Sequence, residues 1–365
     1  MKIKDLCSYA PKSKIKAGEA VDNAEYMFFT SSADESKRYA DFQFDGEAII
    51  MGTGGNATLH YYSGKFSVST DCLVILPGPQ IKCKYLYYFF KSHMHILEAG
   101  FKGAGLKHTN KKYIEEIELT RFPDLTVQEN IIYQLDMIAN NIENLNKELE
   151  LYDLLVKARF VEMFGDPIAN EKFWPTKSLE DACKIIVDCP HSTPSYTTEN
   201  TGFMCIRTSI VKKNHIMWDE IEYVPEDEYN KRIQRKKPEK GDVIYTREGA
   251  ILGIAAVIDK DYDVALGQRL MLLSPDCFQC TPEFLSTAMN CDTFLANALK
   301  GQSGSASPHI NVGDIRAFKM IMPPVEQQEC FSAFVKQVDK SKSEVQESLD
   351  KTQQLFDSLM QEYFG

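Results

Sequence analysis

The sequence lacks the features by which membrane and secreted proteins are recognised. No uninterrupted apolar run approaches the roughly 20 residues that a membrane-spanning helix needs. The first residues, Met1 to Leu6, do not form the apolar segment of a signal peptide. The ten cysteines are scattered along the chain without a paired framework, which is typical of reduced thiols. We therefore expect a cytoplasmic protein without a membrane partner.

Motifs for common kinds of catalysis are also missing. The chain has no phosphate-binding Gly-x-x-x-x-Gly-Lys-Ser/Thr loop, no Asp-Pro-Pro-Tyr motif of amino-methyltransferases and no Gly-x-Ser-x-Gly elbow. Gly52-Thr-Gly54-Gly55 departs from the dinucleotide fingerprint. Cys277 and Cys280 form one CxxC pair without a second pair or nearby histidines. We predict no catalytic residue, no metal site and no cofactor of this chain's own.

Positive charge is in the minority. Lys and Arg number 41 against 52 Asp and Glu, which gives a net charge of -11. This balance argues against a surface that is electropositive throughout, as in many nucleic-acid-binding proteins. It leaves room for local basic clusters at 102–112, at Lys212-Lys213 and at 230–237.

What the chain does contain is a long internal repeat. Apolar residues follow each other at alternating steps of four and three, and the pattern returns 200 residues later in the same register. This spacing keeps one stripe facing a partner helix, so each copy is predicted to be a coiled-coil helix of about 37 residues, roughly 55 Å long. The predicted seam consists of Ile131, Leu135, Ile138, Ile142, Leu145 and Leu149 in the first copy, and Val335, Val338, Val345, Leu349, Phe356 and Leu359 in the second.

The repeat extends beyond the helices. Each helix follows a Pro-x-Leu/Val-x-x-Gln leader, at 123–128 and 323–328, and ends in Phe-Gly. Strand-like runs at 46–50 and 241–245, Gly-bearing turns and a Gly/Ser loop with a His-x-Asn pair recur in both halves. We predict an α+β fold with two mixed α/β domains in pseudo-twofold arrangement, each followed by a long helix, the two helices forming an antiparallel coiled coil. The predicted segments are 1–122, 123–166, 167–322 and 323–365.

This order of motifs resembles the specificity subunit of type I restriction–modification systems. The resemblance rests on the repeated leaders, on the Gly/Ser loops and on the opening Trp174-Pro-Thr-Lys-Ser-Leu179 after Phe164-Gly165-Asp166-Pro167. It implies a non-catalytic, prokaryotic subunit in which each globular domain is a target recognition domain for one half of a split DNA sequence. It also implies docking of two DNA methyltransferase subunits, followed by restriction translocase subunits. S-adenosylmethionine, ATP and Mg are then expected on those partners.

Candidate contacts to double-stranded DNA follow from residue type. Basic side chains suit phosphates, whereas Arg, Gln and Asn suit base edges in the major groove. Since the two globules differ in sequence, we expect two different half-sites and a target that is not a palindrome. His108 and His309, with Asn110 and Asn311, recur in both halves, which favours a structural role. The phosphate candidates are Lys102, Lys107, Lys111, Lys112, Lys212, Lys213, Lys231, Arg232 and Arg235, and the base candidates are Asn56, His60, Arg207, Arg247, Gln268 and Arg269.

Two other functions remain open from the sequence. One is a coiled-coil adaptor that joins protein partners and never touches DNA. The other is an enzyme with a site in the Gly/Ser loops, for which His108 and His309 are the candidate bases. No carboxylate or thiol recurs beside these histidines, so the sequence favours DNA recognition.

Overall fold

The computed structural model describes residues 1–103, 105, 107–300 and 309–365. The chain divides into two compact units. Unit 1 comprises Met1–Asn146 and Gln346–Gly365, and unit 2 comprises Lys147–Val345. The sequence-based division treated the long helices as separate segments, whereas in the structure each long helix contributes residues to both units. The mixed α+β class predicted from the sequence is confirmed.

Unit 1 is built on a mixed sheet with strand order β1-β6-β4-β5-β2-β3 among the described residues. The strands β4 and β5 are the longest and pair antiparallel, while β2 pairs parallel to β5. The strands are β1 Cys7–Tyr9, β2 Tyr26–Phe29, β3 Arg38–Tyr39, β4 Phe44–Gly52, β5 Leu59–Val68 and β6 Cys72–Pro77, and the helices are α1 Ile3–Leu6, α2 Cys83–Ser92, α3 Met94–Ala99, α4 Lys111–Glu115 and the long α5 Leu125–Phe164.

Unit 2 contains several smaller sheets, with β14-β13-β16-β8 at its centre and β12-β9-β15 beside it. Strand β13 pairs antiparallel with both β14 and β16. The strands are β7 Thr176–Ser178, β8 Cys183–Asp188, β9 Met204–Ile206, β10 Val211–Lys212, β11 His215–Ile216, β12 Glu222–Tyr223, β13 Val243–Thr246, β14 Ala255–Val257, β15 Val264–Leu266, β16 Leu270–Pro275 and β17 Lys319–Ile321, and the helices are α6 Leu179–Ala182, α7 Glu226–Arg232, α8 Pro282–Met289, α9 Asp292–Ala298, α10 Val312–Ala317 and the long α11 Val325–Phe364.

Within each unit, the start of one long helix packs against the end of the other. In unit 1 the hydroxyl of Tyr363 donates a hydrogen bond to Gln134 Oε1 at 2.5 Å. In unit 2 the ring of Phe331 lies 5.6 Å from the rings of both Phe160 and Phe164. Nearer the middle of the helices, Lys342 pairs with Asp153 at 2.7 Å in unit 2, and Ile142 and Gln353 line one cavity in unit 1. The two helices therefore run in opposite directions where they meet in either unit, as the sequence predicts. A supercoil of the pair remains a prediction.

The apolar stripe changes spacing at the end of each helix. At the end of the first helix the fully buried side chains are Phe160 and Phe164, whereas Met163 between them is half-buried. Phe160 stacks on Phe284 of α8 with the ring centres 5.6 Å apart. The spacing of four is that of a helix face covered by a globular core, which takes a wider stripe than a two-helix seam. In the second helix the buried side chains are likewise Phe356 and Met360, so the predicted seam position Leu359 is only half-buried.

A glutamine clamps the entry of each long helix. The Gln328 side chain is fully buried. It accepts a hydrogen bond from the backbone N–H of Thr281, the N-cap of α8, at 3.0 Å, and donates to the carbonyl of Pro323 at 2.8 Å. Gln128 makes the same bonds in unit 1, with the N–H of Lys82 and the carbonyl of Pro123. The repeated leader motif thus ties each long helix to the short helix beside it. In the described part of the chain, no helix is both long and apolar enough to span a membrane.

Candidate nucleic-acid interface

Three of the sequence-predicted base contacts, Arg247, Gln268 and Arg269, lie at one edge of the central sheet in unit 2, and Arg207 follows β9 of the neighbouring sheet. Strands β8 and β13 end, and β16 begins, at this edge, because neighbouring strands run antiparallel. Arg247 follows β13, and Arg269 immediately precedes β16. The backbone N–H of Arg247 donates to the carbonyl of Arg269 at 3.1 Å. We call the set Arg207, Arg247, Gln268 and Arg269, with the loop 189–195, the unit 2 edge.

The equivalent edge in unit 1 lies where β4 ends and β6 begins. The turn 53–58 follows β4 and carries Asn56, which is exposed. The N–H of Gly55 donates to the carbonyl of Lys107 at 2.9 Å, which brings the basic loop to this turn. We call the set Asn56, Asp71 and Lys107, with this turn, the unit 1 edge.

The same backbone hydrogen bonds build both edges. The N–H of Thr53 donates to the carbonyl of Asp71 at 2.8 Å, as Arg247 does to Arg269. The N–H of Thr109 then donates to Thr53 at 3.0 Å, and that of Ile310 donates to Arg247 at 2.8 Å. Each His-x-Asn segment is therefore held against the Gly-bearing turn of its own unit. Such a repeated backbone role agrees with the structural interpretation of His108, His309, Asn110 and Asn311; Asn110 and Asn311 are the N-caps of α4 and α10.

Arg247 is a buried residue that stabilises this edge. The sequence-based prediction that it contacts a base was wrong. Its side chain is buried, with 7% of the residue exposed. The guanidinium donates to both carboxylate oxygens of Asp188, at 2.9 Å and 3.4 Å, and lies 3.3 Å from His191 Nδ1. A buried guanidinium bound to a carboxylate in this way is not available to a base.

Arg232 is likewise a scaffold residue, contrary to its prediction as a phosphate contact. Only 1% of its side chain is exposed, and it pairs with Glu228 at 2.7 Å. It also donates to the carbonyls of Leu266 and Ser192, at 3.1 Å and 2.6 Å. Arg232 therefore fastens the loop 189–195 to the end of β15, and it supports the unit 2 edge without reaching solvent.

The prediction that His60 contacts a base was also wrong. It is 4% exposed, and its two ring nitrogens lie 2.7 Å from Glu35 Oε1 and 3.0 Å from the carbonyl of Ser32. The ring also packs against Phe29 with centres 5.2 Å apart. Both polar atoms are used inside unit 1, so His60 holds the loop 31–35 onto β5 and is not placed to read a base.

The other predicted DNA contacts of unit 2 differ in the hydrogen bonds and ion pairs that they make within the chain. Arg207 pairs with Glu222 at 3.0 Å and lies over the Tyr196 ring. Gln268 donates to Thr193 at the long distance of 3.4 Å. Further interactions tie Lys212 to the carbonyl of Ser209, Lys213 to Asp292, Lys231 to Asp227 and Arg235 to the carbonyl of Asp188.

In unit 1 the lysine candidates are exposed. Lys111 lies 3.5 Å from Glu115 and sits over the ring of Tyr9. The backbone of Lys102 pairs with that of His108 in both directions, so its side chain projects from the segment that contacts the unit 1 edge. These placements are compatible with phosphate contacts, and the phosphate assignments for Lys102, Lys107, Lys111 and Lys112 stay predictions.

The sequence analysis missed Asp71. Its carboxylate is exposed beside the turn 53–58, and its position matches that of Arg269 in unit 2. The repeat of the strand after it, Cys72–Pro77 against Leu270–Pro275, was the available indication. An acidic residue was passed over because the search for DNA contacts followed positive charge.

No metal centre was found where the structure is described. No group of three or more His, Cys, Asp or Glu residues among the described residues is arranged to hold a metal ion. Cys280 of the CxxC pair is buried, and Cys277 is exposed. Burial raises the pKa of the Cys280 thiol well above its usual range, which keeps it protonated.

Comparison with known proteins defines the class. The family model described as the type I restriction modification DNA specificity domain matches residues 1–151 and again residues 171–354. These two matches cover most of the chain, one in each half. The chain belongs to this family of specificity domains.

Individual relatives agree with the family. The chain is 22% identical over 335 residues to the type I restriction enzyme MjaVIII specificity subunit of Methanocaldococcus jannaschii, covering 87% of this chain and 78% of that protein. The crystal structure of the type I restriction-modification S subunit from M. genitalium matches all of this chain and 95% of its own, with a TM-score of 0.65 and 15% identity. A chain from a study of complex assembly and conformational transition of the type I R-M system matches with a TM-score of 0.50 and 16% identity.

These relatives confirm the resemblance found in the sequence. Specificity subunits are the non-catalytic subunits of type I systems, so the prediction that this chain is not itself an enzyme is confirmed. The structural matches, at 15% and 16% identity, show the shared fold.

Proposed function

We propose that this chain is the DNA-recognition subunit of a type I restriction–modification complex and reads a bipartite, asymmetric target, one half-site with each unit. The observation that carries the proposal is the repeated edge. Identical backbone hydrogen bonds position the two edges, but their side chains differ, with Asn56 and Asp71 in unit 1 and Gln268 and Arg269 in unit 2. One scaffold that presents two sets of polar groups suits two unlike DNA sequences.

The first long helix supports the proposed docking of partner subunits. In unit 2, α5 exposes Leu151, Leu154, Leu155 and Val161, which remain between 46% and 62% exposed. These residues lie at helical spacing, so they form one apolar face that this chain leaves in water. The occupant we propose is a DNA methyltransferase subunit, which brings S-adenosylmethionine, while restriction translocase subunits join with ATP and Mg.

Sequence-dependent retention of DNA tests the proposal. The chain assembled with its modification subunit is mixed with a pool of randomised duplexes, and the retained DNA is sequenced. We expect two separated, unlike motifs and affinity that falls steeply with salt, since phosphate contacts release counterions. The chain alone, with its net charge of -11, should retain DNA weakly. Retention of the pool without enrichment of any motif would contradict the proposal and favour the protein adaptor.

A further inference from the structure

Arg269 differs from the other arginines because its guanidinium has no partner among the described residues. The sequence holds nine arginines. Eight of them donate to carboxylates or carbonyls of the chain, namely Arg38, Arg121, Arg159, Arg207, Arg232, Arg235, Arg247 and Arg316. Over the ranges that the structure describes, the Arg269 side chain has no hydrogen bond or ion pair, and the residue is exposed.

The backbone at Arg269 is held in a conformation that arginine seldom adopts. Its φ is +75°, in the left-handed region that favours glycine. The carbonyl of Arg269 is fixed by the N–H of Arg247 at 3.1 Å. Non-glycine residues that the surrounding structure keeps in this region cluster at functional sites. The exposed side chain of Arg269 therefore starts from a fixed backbone position at the unit 2 edge.

The adjacent turn leaves space for this side chain. Gly249 has a φ of +97°, and a Cβ built on it would lie 3.3 Å from Arg269 Nη1. A side chain at position 249 would therefore require the guanidinium to shift by a few tenths of an ångström. The φ of Gly249 favours glycine by itself, and the guanidinium of Arg269 lies directly beside this turn.

Asp71 occupies the matching position in unit 1. Each residue immediately precedes the strand that returns through the sheet, β6 or β16, and each carbonyl accepts the same hydrogen bond from the turn after β4 or β13. Asp71 is exposed, and its carboxylate makes no hydrogen bond or ion pair with the described residues. The two units thus present opposite charges from one position of the repeated scaffold.

We propose that this position is a base-reading position in both units, and that Arg269 reads a guanine while Asp71 reads a cytosine. This inference rests on the proposed DNA-recognition function. A guanidinium donates two hydrogen bonds to O6 and N7 of guanine, whereas a carboxylate accepts from the N4 amino group of cytosine. A phosphate contact explains Arg269 alone but not Asp71, because a phosphate repels a carboxylate.

Substitution of each residue within the assembled complex tests the inference. The chain is bound to its modification subunit, and the enriched motif is determined for wild type, Arg269→Gly and Asp71→Ala. Glycine accepts a φ of +75° without strain, so the variant should fold. We expect Arg269→Gly to lose between about 5-fold and about 150-fold of the preference for guanine at one position of one half-site. Asp71→Ala should relax one cytosine position in the other half-site.

Two matched controls carry the same charges at the opposite edges of the same two sheets, on the neighbouring antiparallel strands. Lys240 precedes β13 and Asp45 lies at the start of β4, and both are exposed. Lys240→Ala and Asp45→Ala should leave the motif unchanged. Arg269→Asn, which also tolerates the left-handed region, should lose the guanine preference as well and serves as the second variant for Arg269.

The outcomes separate this inference from the function on which it rests. An equal loss of affinity for all sequences in Arg269→Gly would make Arg269 a phosphate contact and overturn the inference. An unchanged motif, or relaxation of both variants within one half-site, would also overturn it. These results can be interpreted only if the wild-type complex itself enriches a DNA motif. A wild-type complex without any motif would instead refute the proposed function, and the inference with it.

Discussion

Single side chains show how little residue type says about a DNA contact. Arg232, Arg247 and Arg269 were all predicted from the sequence to contact DNA. Two of them are buried in ion pairs, and the third has no partner among the described residues. Arg247 meets Asp188, which lies 59 residues away along the chain. Pairings over such distances leave no pattern in a single sequence, so the sequence analysis could name the arginines without separating scaffold from surface.

Cysteine accessibility provides a prediction about individual residues. Cys277 and Cys330 are exposed, and the other eight of the ten cysteines are buried or half-buried. Burial raises the pKa of Cys183, Cys205 and Cys291 to about 12, so these thiols are protonated at pH 7 and above. Two thiols of the native protein should therefore react rapidly with a thiol reagent at pH 8, and ten after denaturation.

Variants identify the two reactive thiols. Cys277→Ser and Cys330→Ser should each remove one rapid equivalent, and the double variant should remove both. Rapid reaction of Cys280 in the native protein would be inconsistent with its burial in the core of unit 2.

Among the elements, the long helices were the most predictable. Their periodicity is local, so it predicts length and direction without knowledge of the rest of the fold, and each helix indeed has 40 residues. The leader glutamines were visible as a repeated motif. Their role was not, because the atoms that they bind belong to the N-caps of α2 and α8, nearly 50 residues earlier in the chain.

The glutamine clamp can be tested by removal. Gln328→Ala would leave the N–H of Thr281 and the carbonyls of Gln279 and Pro323 without their buried partner. We expect a loss of about 1–3 kcal/mol in the free energy of unfolding of unit 2. Thermal unfolding followed by circular dichroism would show this as a lower midpoint. The neighbouring exposed Gln327 provides the control, and an equal effect of Gln327→Ala would mean that the clamp is not responsible.

The exposed face of α5 can be tested with residues that the repeat itself supplies. The positions 200 residues later are Lys351, Gln354 and Gln361, so the second helix accepts these side chains at the same places. We therefore expect the triple variant Leu151→Lys, Leu154→Gln and Val161→Gln to fold normally. Removal of the apolar face should weaken binding of the modification subunit at least 10-fold, measured by calorimetry.

Alanine substitutions on the second long helix provide the control for this face. Lys351→Ala and Gln354→Ala remove side chains from the corresponding face of α11 without touching α5. These changes should leave binding of the modification subunit unaffected. Unaltered binding by the α5 triple variant would show that the partner docks elsewhere.

The chain as a whole is an internal repeat whose two halves differ in their details. Both units contain the sheet edge, the clamped helix entry and helix ends that meet in opposite directions. Among the described residues, only unit 2 carries the hairpin β10–β11 and the helix α7. The two proposed reading edges lie in different units, and each long helix contributes residues to both units. We therefore predict that the long helices act as spacers between the two edges.

Insertion of one heptad into the middle of both long helices tests this connection. Seven residues keep the apolar stripe in register and add about 10 Å, roughly three base pairs of duplex. We expect the enriched motif to keep both half-sites and to gain about three unread base pairs between them. Altered base preferences at an unchanged gap would contradict the role of the helices as spacers.

The amino-acid sequence alone was sufficient to predict the repeat, the two long helices and the family. Periodicity and motif order can be read from residues that are close together in the chain. The three-dimensional fold was needed to find which charges are free, since pairing and burial join residues far apart in the chain. For this reason Arg247 and Arg232 moved from candidates to scaffold, and Asp71 became visible only beside Arg269 on the repeated sheet edge.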